Sequence, residues 1–201
     1  MPRMGRPREF DRTVALDAAM RLFWEHGYEA TSLDQLKRAM GGLSSASFYA
    51  AFGSKETLFR EAVARYNATH GQVTAPLRDQ TLAPRAAIEQ ALRRSARMQT
   101  DASHPTGCLV ALSASAWSPG NERLQADMRA ERDANRTALR ACVERAIATG
   151  ELRPDADPAA LTTLFDGLLV GFAIQARDQV SVEAMEAAIT AALGAWHAYR
   201  R

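Results

Sequence analysis

The sequence predicts an all-α protein. Three observations carry this reading. Apolar residues recur at spacings of three and four along nearly the whole chain. Glycine and proline fall between those periodic segments. No stretch keeps the strict alternation of a half-buried strand. With 201 residues the chain suits one domain of ordinary size or two small ones. The segments group into an N-terminal unit, residues 1–75, and a C-terminal unit, residues 76–201.

The first helix is expected from about Asp11 to Glu25, with Val14, Ala18, Leu22 and Phe23 on its inner side and Gly27 as its stop. Thr31 opens a second helix, with Asp34 three positions on as a capping partner, and Leu33, Leu36 and Met40 form its buried stripe. Gly41 and Gly42 break it. Ser44 caps a third helix that Gly53 ends, and Ser54 caps a fourth in which Leu58, Phe59, Ala62, Val63 and Tyr66 recur at helical spacing into the low 70s.

The C-terminal unit is punctuated in the same way. Pro84 suits the first turn of a fifth helix running to about Thr100. A loop at His104-Pro105-Thr106-Gly107 precedes a short apolar helix from about Cys108 to Ala116. Pro119 begins a long helix ending at Gly150. Asp157 and Pro158 form a cap and first-turn pair for the next helix, and the last runs from about Val182 to Tyr199.

Composition narrows the function. An apolar fraction of 47% with 24% charged residues is that of a soluble globular protein. No apolar run approaches the roughly 18 to 20 residues of a spanning helix, and no apolar stretch follows the N-terminal arginines as in a secretory leader. No membrane association is expected, and the protein is read as cytoplasmic. Two cysteines, Cys108 and Cys142, make no disulfide framework. Four scattered histidines match no zinc pattern, so neither metal nor cofactor is expected. The net charge of +2 is localised. Residues 1–8 carry Arg3, Arg6 and Arg8 with no acid, whereas from residue 76 onward 15 basic side chains balance 15 acidic ones.

The segment Thr31–Lys55 is the most informative. Phe48 and Phe52, four apart, point inward together and leave Ser45, Ala46, Ser47 and Ala50 on a face too small and polar to be a core. A helix showing hydroxyls and methyls, braced by a partner across a tight turn, suits the DNA major groove. That face lacks the Arg, Asn or Gln of bidentate base readout, so discrimination leans on thymine methyls, DNA shape and water. The three N-terminal arginines then become an arm for phosphates or the minor groove, the plainer alternative being a solvated tail.

These residues resemble the tetracycline-repressor (TetR) family of bacterial transcriptional regulators. The likeness lies in Phe23 to Leu33 (FWEHGYEATSL), Ser44 to Phe52, and Gly53-Ser54-Lys55-Glu56-Thr57-Leu58-Phe59. The family likeness implies that Thr31 and Ser32 begin a helix leaning on the DNA backbone, that Ser44, Ser45, Ala46 and Ser47 face bases, and that Tyr49 and Lys55 contact phosphates. Lys55 also lies in a first helical turn, where exposed N–H groups already favour an anion. The turn Met40-Gly41-Gly42-Leu43-Ser44 is one residue longer than the family's alanine-glycine-valine-serine pattern, which leaves individual base contacts open.

Two further roles are expected of the C-terminal unit. Leu161, Leu164, Phe165, Leu168, Leu169 and Phe172 form a broad apolar stripe in which Gly167 and Gly171 allow close approach. Val182, Met185, Ile189, Leu193 and Trp196 repeat the pattern on the last helix. Paired between two subunits, these helices make a four-helix dimer interface, the alternative being a protomer core. A pocket for an unknown small-molecule effector is expected from Met98, Cys108, Leu112, Trp117, Met128 and Phe165, with Tyr66, His104 and Asn135 as polar contacts. The resemblance implies an often apolar effector that releases a homodimeric repressor from double-stranded operator DNA. Alternatives are a helical small-molecule-binding protein or enzyme, or a regulator switched by oxidation of Cys108 at a helix start. No phosphate loop, nucleophile elbow, paired-histidine helix or carboxylate cluster supports an enzyme.

Overall fold

The computed structural model describes residues 11–115 and 117–200. Along them run α1 (Arg12–Ala30), α2 (Leu33–Ala39), α3 (Ser45–Phe52), α4 (Lys55–Ala68), a 3₁₀ helix (His70–Arg78), α5 (Pro84–Thr100), α6 (Leu109–Leu112), α7 (Glu122–Ala148), α8 (Pro158–Arg177) and α9 (Val182–Ala198). The only β feature among the described residues is an isolated bridge between Leu152 and Arg200. The chain divides into two compact units, Met1–Arg65 and Tyr66–Arg201. The boundary therefore falls inside α4, earlier than the expected 75/76. The reason is local: Tyr66 is buried within the second unit, and Asn67 Nδ2 donates to Glu131 Oε2 of that unit at 3.0 Å.

In the first unit each helix starts on a side-chain cap. Asp11 accepts from the Thr13 and Val14 amides, and Ser44 Oγ accepts from the Ser47 amide. Ser54 Oγ accepts from the Thr57 amide. Such caps are each worth about 1 kcal/mol. Gly27, at φ 79 and ψ 171, breaks α1 where a stop was expected, although helical bonding resumes to Ala30. The buried face of α1 is Ala15, Ala19, Met20, Phe23 and Trp24. Val14, expected inside, is exposed, so the face is turned by about one residue. Phe23 and Tyr28 each meet the Phe59 ring edge-on at 5.1 Å, and Phe48, Phe52, Leu36 and Leu58 complete the core. Arg12 ties α1 to α4 through Glu61 at 2.6 Å and lies over the Phe52 ring.

The start of α2 corrects the expected cap. Ser32, not Thr31, is the N-cap, and its partner is Gln35, not Asp34. Ser32 Oγ accepts from the Gln35 amide, while Gln35 Oε1 accepts from the Ser32 amide at 2.7 Å. Thr31 is fully buried, its hydroxyl donating to the Gly27 carbonyl at 2.6 Å. A hydroxyl consumed in this way holds the α1–α2 junction and faces no ligand.

The second unit is built on α5, α7, α8 and α9. Alanines 87, 91 and 96 of α5 let its neighbours approach, and Leu92, Leu139, Val143, Phe165, Phe172, Met185, Ile189, Leu193 and Trp196 fill the centre. Arg136 Nε of α7 donates to Asp166 Oδ2 of α8 at 2.9 Å, and Arg97 Nε of α5 to Glu186 Oε1 of α9 at 2.8 Å. Three expected boundaries shift. The fourth helix ends at Ala68, and a nine-residue 3₁₀ helix with Pro76 inside it follows. α6 is a single turn, four residues long. α7 starts at Glu122, because Glu122 Oε1 turns back to accept from the Gly120 amide at 2.9 Å.

α8 also overturns the reading that no segment approaches membrane-spanning character. An 18-residue window of this 20-residue helix reaches a mean hydropathy of 1.5, so it is long and apolar enough, by length and composition, to cross a bilayer. It nevertheless packs on α5, α7 and α9 and carries the ion-paired Asp166, as a core helix of this unit does.

Candidate functional site

The first unit presents α3 outward. Phe48 and Phe52 are buried, while Ser44, Ser45, Ala46, Ser47, Tyr49 and Ala50 are exposed, so the face is distributed as expected. Between α2 and α3 the chain reverses over Gly41 (φ 92) and Gly42 (φ 80), a left-handed pair that residues with a Cβ rarely adopt. The amides of Gly42 and Leu43 both donate to the Lys37 carbonyl at 3.0 Å, which closes the turn. The residues after it then enter α3 through the Ser44 cap.

The serines are less free than their types suggest. Ser44 Oγ serves the cap and lies 2.9 Å from Ser47 Oγ. Ser45 Oγ accepts from Lys37 Nζ at 3.1 Å, and the same ammonium pairs with Asp34 at 2.8 Å. Lys37, which sequence reasoning did not single out, thus links α2 to α3. A lysine eight residues before a serine gives no spacing signal on one helix, because the turn brings the two together. Ala46, Ala50 and Tyr49 remain as the unencumbered groups. Tyr49 is 52% exposed, and its ring meets the buried Phe48 edge-on at 5.4 Å.

Lys55 is the first residue of α4. Its Nζ stands 4.2 Å from the centroid of the Tyr28 ring, and burial lowers the ammonium pKa, opposed by the Glu29 carboxylate. A cation over an aromatic face gains about 0.5–1 kcal/mol at an exposed site and about 2 kcal/mol when desolvated, and half-buried Lys55 lies between the two. Ser32 is exposed as the α2 cap, whereas its neighbour Thr31 drops out of the expected contact set because it is buried. Arg3, Arg6 and Arg8 lie outside the described residues.

The second unit holds a cavity of about 300 Å³. Of the nine residues expected to line it, Tyr66, Met98, Cys108 and Asn135 do so. Met128 and Phe165 are instead buried core residues. Leu112 and Trp117 lie away from the cavity, Trp117 Nε1 donating to the Ser113 carbonyl at 3.0 Å. His104 lines an adjoining shallow groove, which shares Gln72, Val73 and Met98 with the cavity, and lies edge-on to His70 at 4.6 Å. Met98 lines the cavity as expected, whereas Met128 and Phe165 are consumed by helix packing. The wall mixes apolar side chains, Val73, Met98, Val110 and Leu169 among them, with polar ones, of which Ser95 and Gln99 are prominent. Both are buried on α5, four apart within its apolar stripe, and that misplaced polarity was the available signal. Gln99 Nε2 donates to Ser95 Oγ at 2.7 Å and to the Leu169 carbonyl at 3.4 Å, while its Oε1 is buried with no hydrogen-bond partner among the described residues. Cys108 is half-buried at the start of the one-turn α6, too short for a helix dipole to act strongly on a thiol.

The expected dimer residues also divide. Leu161, Phe172, Met185, Ile189, Leu193 and Trp196 are buried in the protomer's own core. What α8 turns to solvent is Leu164 (39% exposed), Gly167 and Ile174 (56% exposed), with Gly171 half-exposed among them and Leu168 partly buried against the core. A Cβ added at Gly167 or Gly171 would meet nothing within 4 Å. On α9, Ala184, Ala187, Ala188, Ala191 and Gly194 are exposed.

Two helices across a tight glycine turn, the second with buried phenylalanines and an open, small-residue outer face, define a helix-turn-helix DNA-binding protein. The comparisons specify it. Residues 15–62 match the model of bacterial regulatory proteins of the tetR family, and residues 84–192 that of a tetracyclin repressor-like C-terminal domain. The chain therefore belongs to the TetR family of bacterial transcriptional regulators. It is 33% identical over 183 residues to the HTH-type transcriptional repressor ComR of Escherichia coli, covering 89% of this chain and 85% of that repressor. The solved TetR family regulator CifR, a cysteine-substituted form in complex with 26-base-pair operator DNA, is 40% identical with a TM-score of 0.86, covering 96% of this chain and all of that one. A TetR regulator from Chloroflexus aurantiacus is 25% identical with a TM-score of 0.77, covering 90% of this chain and 91% of that one.

Proposed function

We propose that the protein is a homodimeric repressor that grips a palindromic operator through α3 and releases it when a small effector fills the cavity of the second unit. The outer face of α3 carries this reading. Its apolar side is satisfied by burial, its start is capped, and its exposed side is left with Ala46, Tyr49 and Ala50. Such a face fits a groove of fixed width and binds nothing strongly alone. Tyr49 and Lys55 supply phosphate contacts, with Ser32 and the arginines of the N-terminal arm beside them, and the work is done in the cytoplasm.

Dimerisation follows from the exposed face of α8. Leu164, Gly167, Gly171 and Ile174 recur at spacings of three and four along one side of the helix. A mid-helix glycine costs about 0.5–1 kcal/mol relative to alanine. Nothing within the protomer crowds Gly167 or Gly171, so a second chain packed against them accounts for their presence. Two recognition helices on a two-fold axis then read half-sites about one helical turn apart.

Effector control is a population shift. A ligand that binds the release-competent state better raises its share, by no more than its differential affinity. The cavity and the unmet acceptor of Gln99 support a ligand there, since buried acceptors are nearly always bonded. The test is recovery of bound genomic fragments by the purified protein, followed by titration of the recovered site at several salt concentrations. A shared palindrome is expected, and the variant Tyr49→Phe with Lys55→Ala should bind more weakly with a shallower salt slope, by about one phosphate per protomer. Recovery of no common sequence, together with an unchanged slope, would set the reading aside.

A further inference from the structure

The cavity of the second unit carries a charge imbalance that specifies what it takes. Four charged side chains, two of each sign, line it: Arg78, Arg132, Glu131 and Asp166. Asp166 is neutralised by Arg136, which does not line the cavity. Neither Arg78 nor Arg132 forms an ion pair with a carboxylate among the described residues. Arg78 instead donates to Asn135 Oδ1 at 3.2 Å and to the Ala134 carbonyl. Arg132 donates to the Val110 carbonyl at 3.0 Å. Glu131 is engaged by Asn67. Two cations thus face one uncompensated anion.

Resting on the effector-pocket reading, we infer that the cavity binds a small organic monocarboxylate, with Arg132 as the residue that holds its charge.

Arg132 is suited to this for three reasons. It is half-buried, where a charge without a counter-ion is costly and a carboxylate is attracted more strongly than in water. Burial lowers its pKa more than the neighbouring Asp133 carboxylate raises it, yet an arginine remains charged at any physiological pH. Of the five N–H donors on a guanidinium, one is spent on Val110, and the planar fork of the others matches the two oxygens of a carboxylate. Val110 lies on α6, so a ligand drawn to Arg132 competes for, or shares, the donor that holds that single turn. Arg78 is exposed on the 3₁₀ helix and adds attraction from the rim. A cavity of about 300 Å³ limits the ligand to a compact molecule at the small end of the usual range.

The experiment pairs isosteres on the full-length protein: benzoate against benzamide and hexanoate against hexanamide, each followed by calorimetric titration and by release of bound operator DNA. At least one carboxylate should bind tenfold or more tightly than its amide. Arg132→Gln, which keeps a donor for Val110, should remove that preference. Arg132→Lys, which keeps the charge, should retain most of it. Amides binding as tightly as carboxylates, or carboxylate affinity untouched by Arg132→Gln, overturns the charge assignment and leaves the effector pocket standing. If no probe of either kind binds, or binding persists when Ala111→Trp fills the cavity, the effector-pocket reading falls and this inference with it.

Discussion

Residues 11–65 bury Phe23, Trp24, Phe48, Phe52 and Phe59, while α3 turns its small and hydroxyl-bearing side chains outward with Tyr49. Residues 66–200 bury rings as well, but with Ser95, Gln99 and Asp166 among them, and expose Leu164 and Ile174. Each unit has an ordinary apolar core, so stability explains neither departure. What differs is the partner. A groove-reading helix must be thin and polar outside, whereas a sensing unit must keep polar groups inside for a ligand and apolar ones outside for a second copy. Burial against type, read in either direction, marks where this chain meets something else.

The largest expected effect separates the two cores. Phe48→Ala should cost about 3–5 kcal/mol, most of what a unit of that size commands. Thermal unfolding followed by circular dichroism should then show the first unit melting early while the second keeps its helical signal. DNA binding is lost at every sequence. A single unchanged transition would mean that the ring does not anchor α3.

Next comes the exposed face of α8. Leu164→Glu or Gly171→Leu should shift the protein from dimer to monomer in sedimentation, weakening association by about 2 kcal/mol or more if the position is central. Tm measured at low protein concentration should hardly change, because neither position is crowded within the protomer. A dimer that withstands both changes puts the interface elsewhere.

Smaller effects follow. Ser44→Ala removes the α3 cap and should cost about 1 kcal/mol, a fall in Tm of roughly 4–8 °C for a domain of this size. The two cysteines should also react differently with iodoacetamide. Cys142 is buried, its thiol donates to the Leu77 carbonyl at 3.1 Å, and burial raises its pKa, whereas Cys108 is half-exposed at the cavity. Mass spectrometry should find Cys108 modified first. Equal rates would mean that the second core opens readily.

The sequence made the helices legible to different depths. α5 was placed within a residue at both ends and α8 at its start, because proline fixed their starts and long apolar stripes fixed their bodies. α3 was equally legible from Ser44, the Phe48/Phe52 pair and Gly53. The 3₁₀ helix was invisible, since i to i+3 bonding leaves no apolar period of its own and Pro76 reads as a breaker. Thr31 misled because a threonine before a helix fits two roles, and only tertiary packing placed its hydroxyl on Gly27. The cavity misled more. Met128 and Phe165 are good pocket residues by type, but apolar periodicity cannot tell a core from a cavity wall. The polar pair Ser95 and Gln99 inside the α5 stripe was the better clue. On α8 and α9 the periodicity found the buried stripe, while the partner-facing side consists of the residues left over, whose alanines and glycines carry little signal.

The most direct measurement places a negative charge on the face that should meet phosphates without disturbing the fold. Ala46→Glu lies in the first turn of α3, where an acid is tolerated or favoured by the helix dipole. Fluorescence anisotropy against the recovered operator should show affinity falling by at least about a hundredfold, the order of two disrupted contacts, with Tm unchanged. Operator affinity within twofold of the unaltered protein would contradict the claim that the outer face of α3 enters the groove.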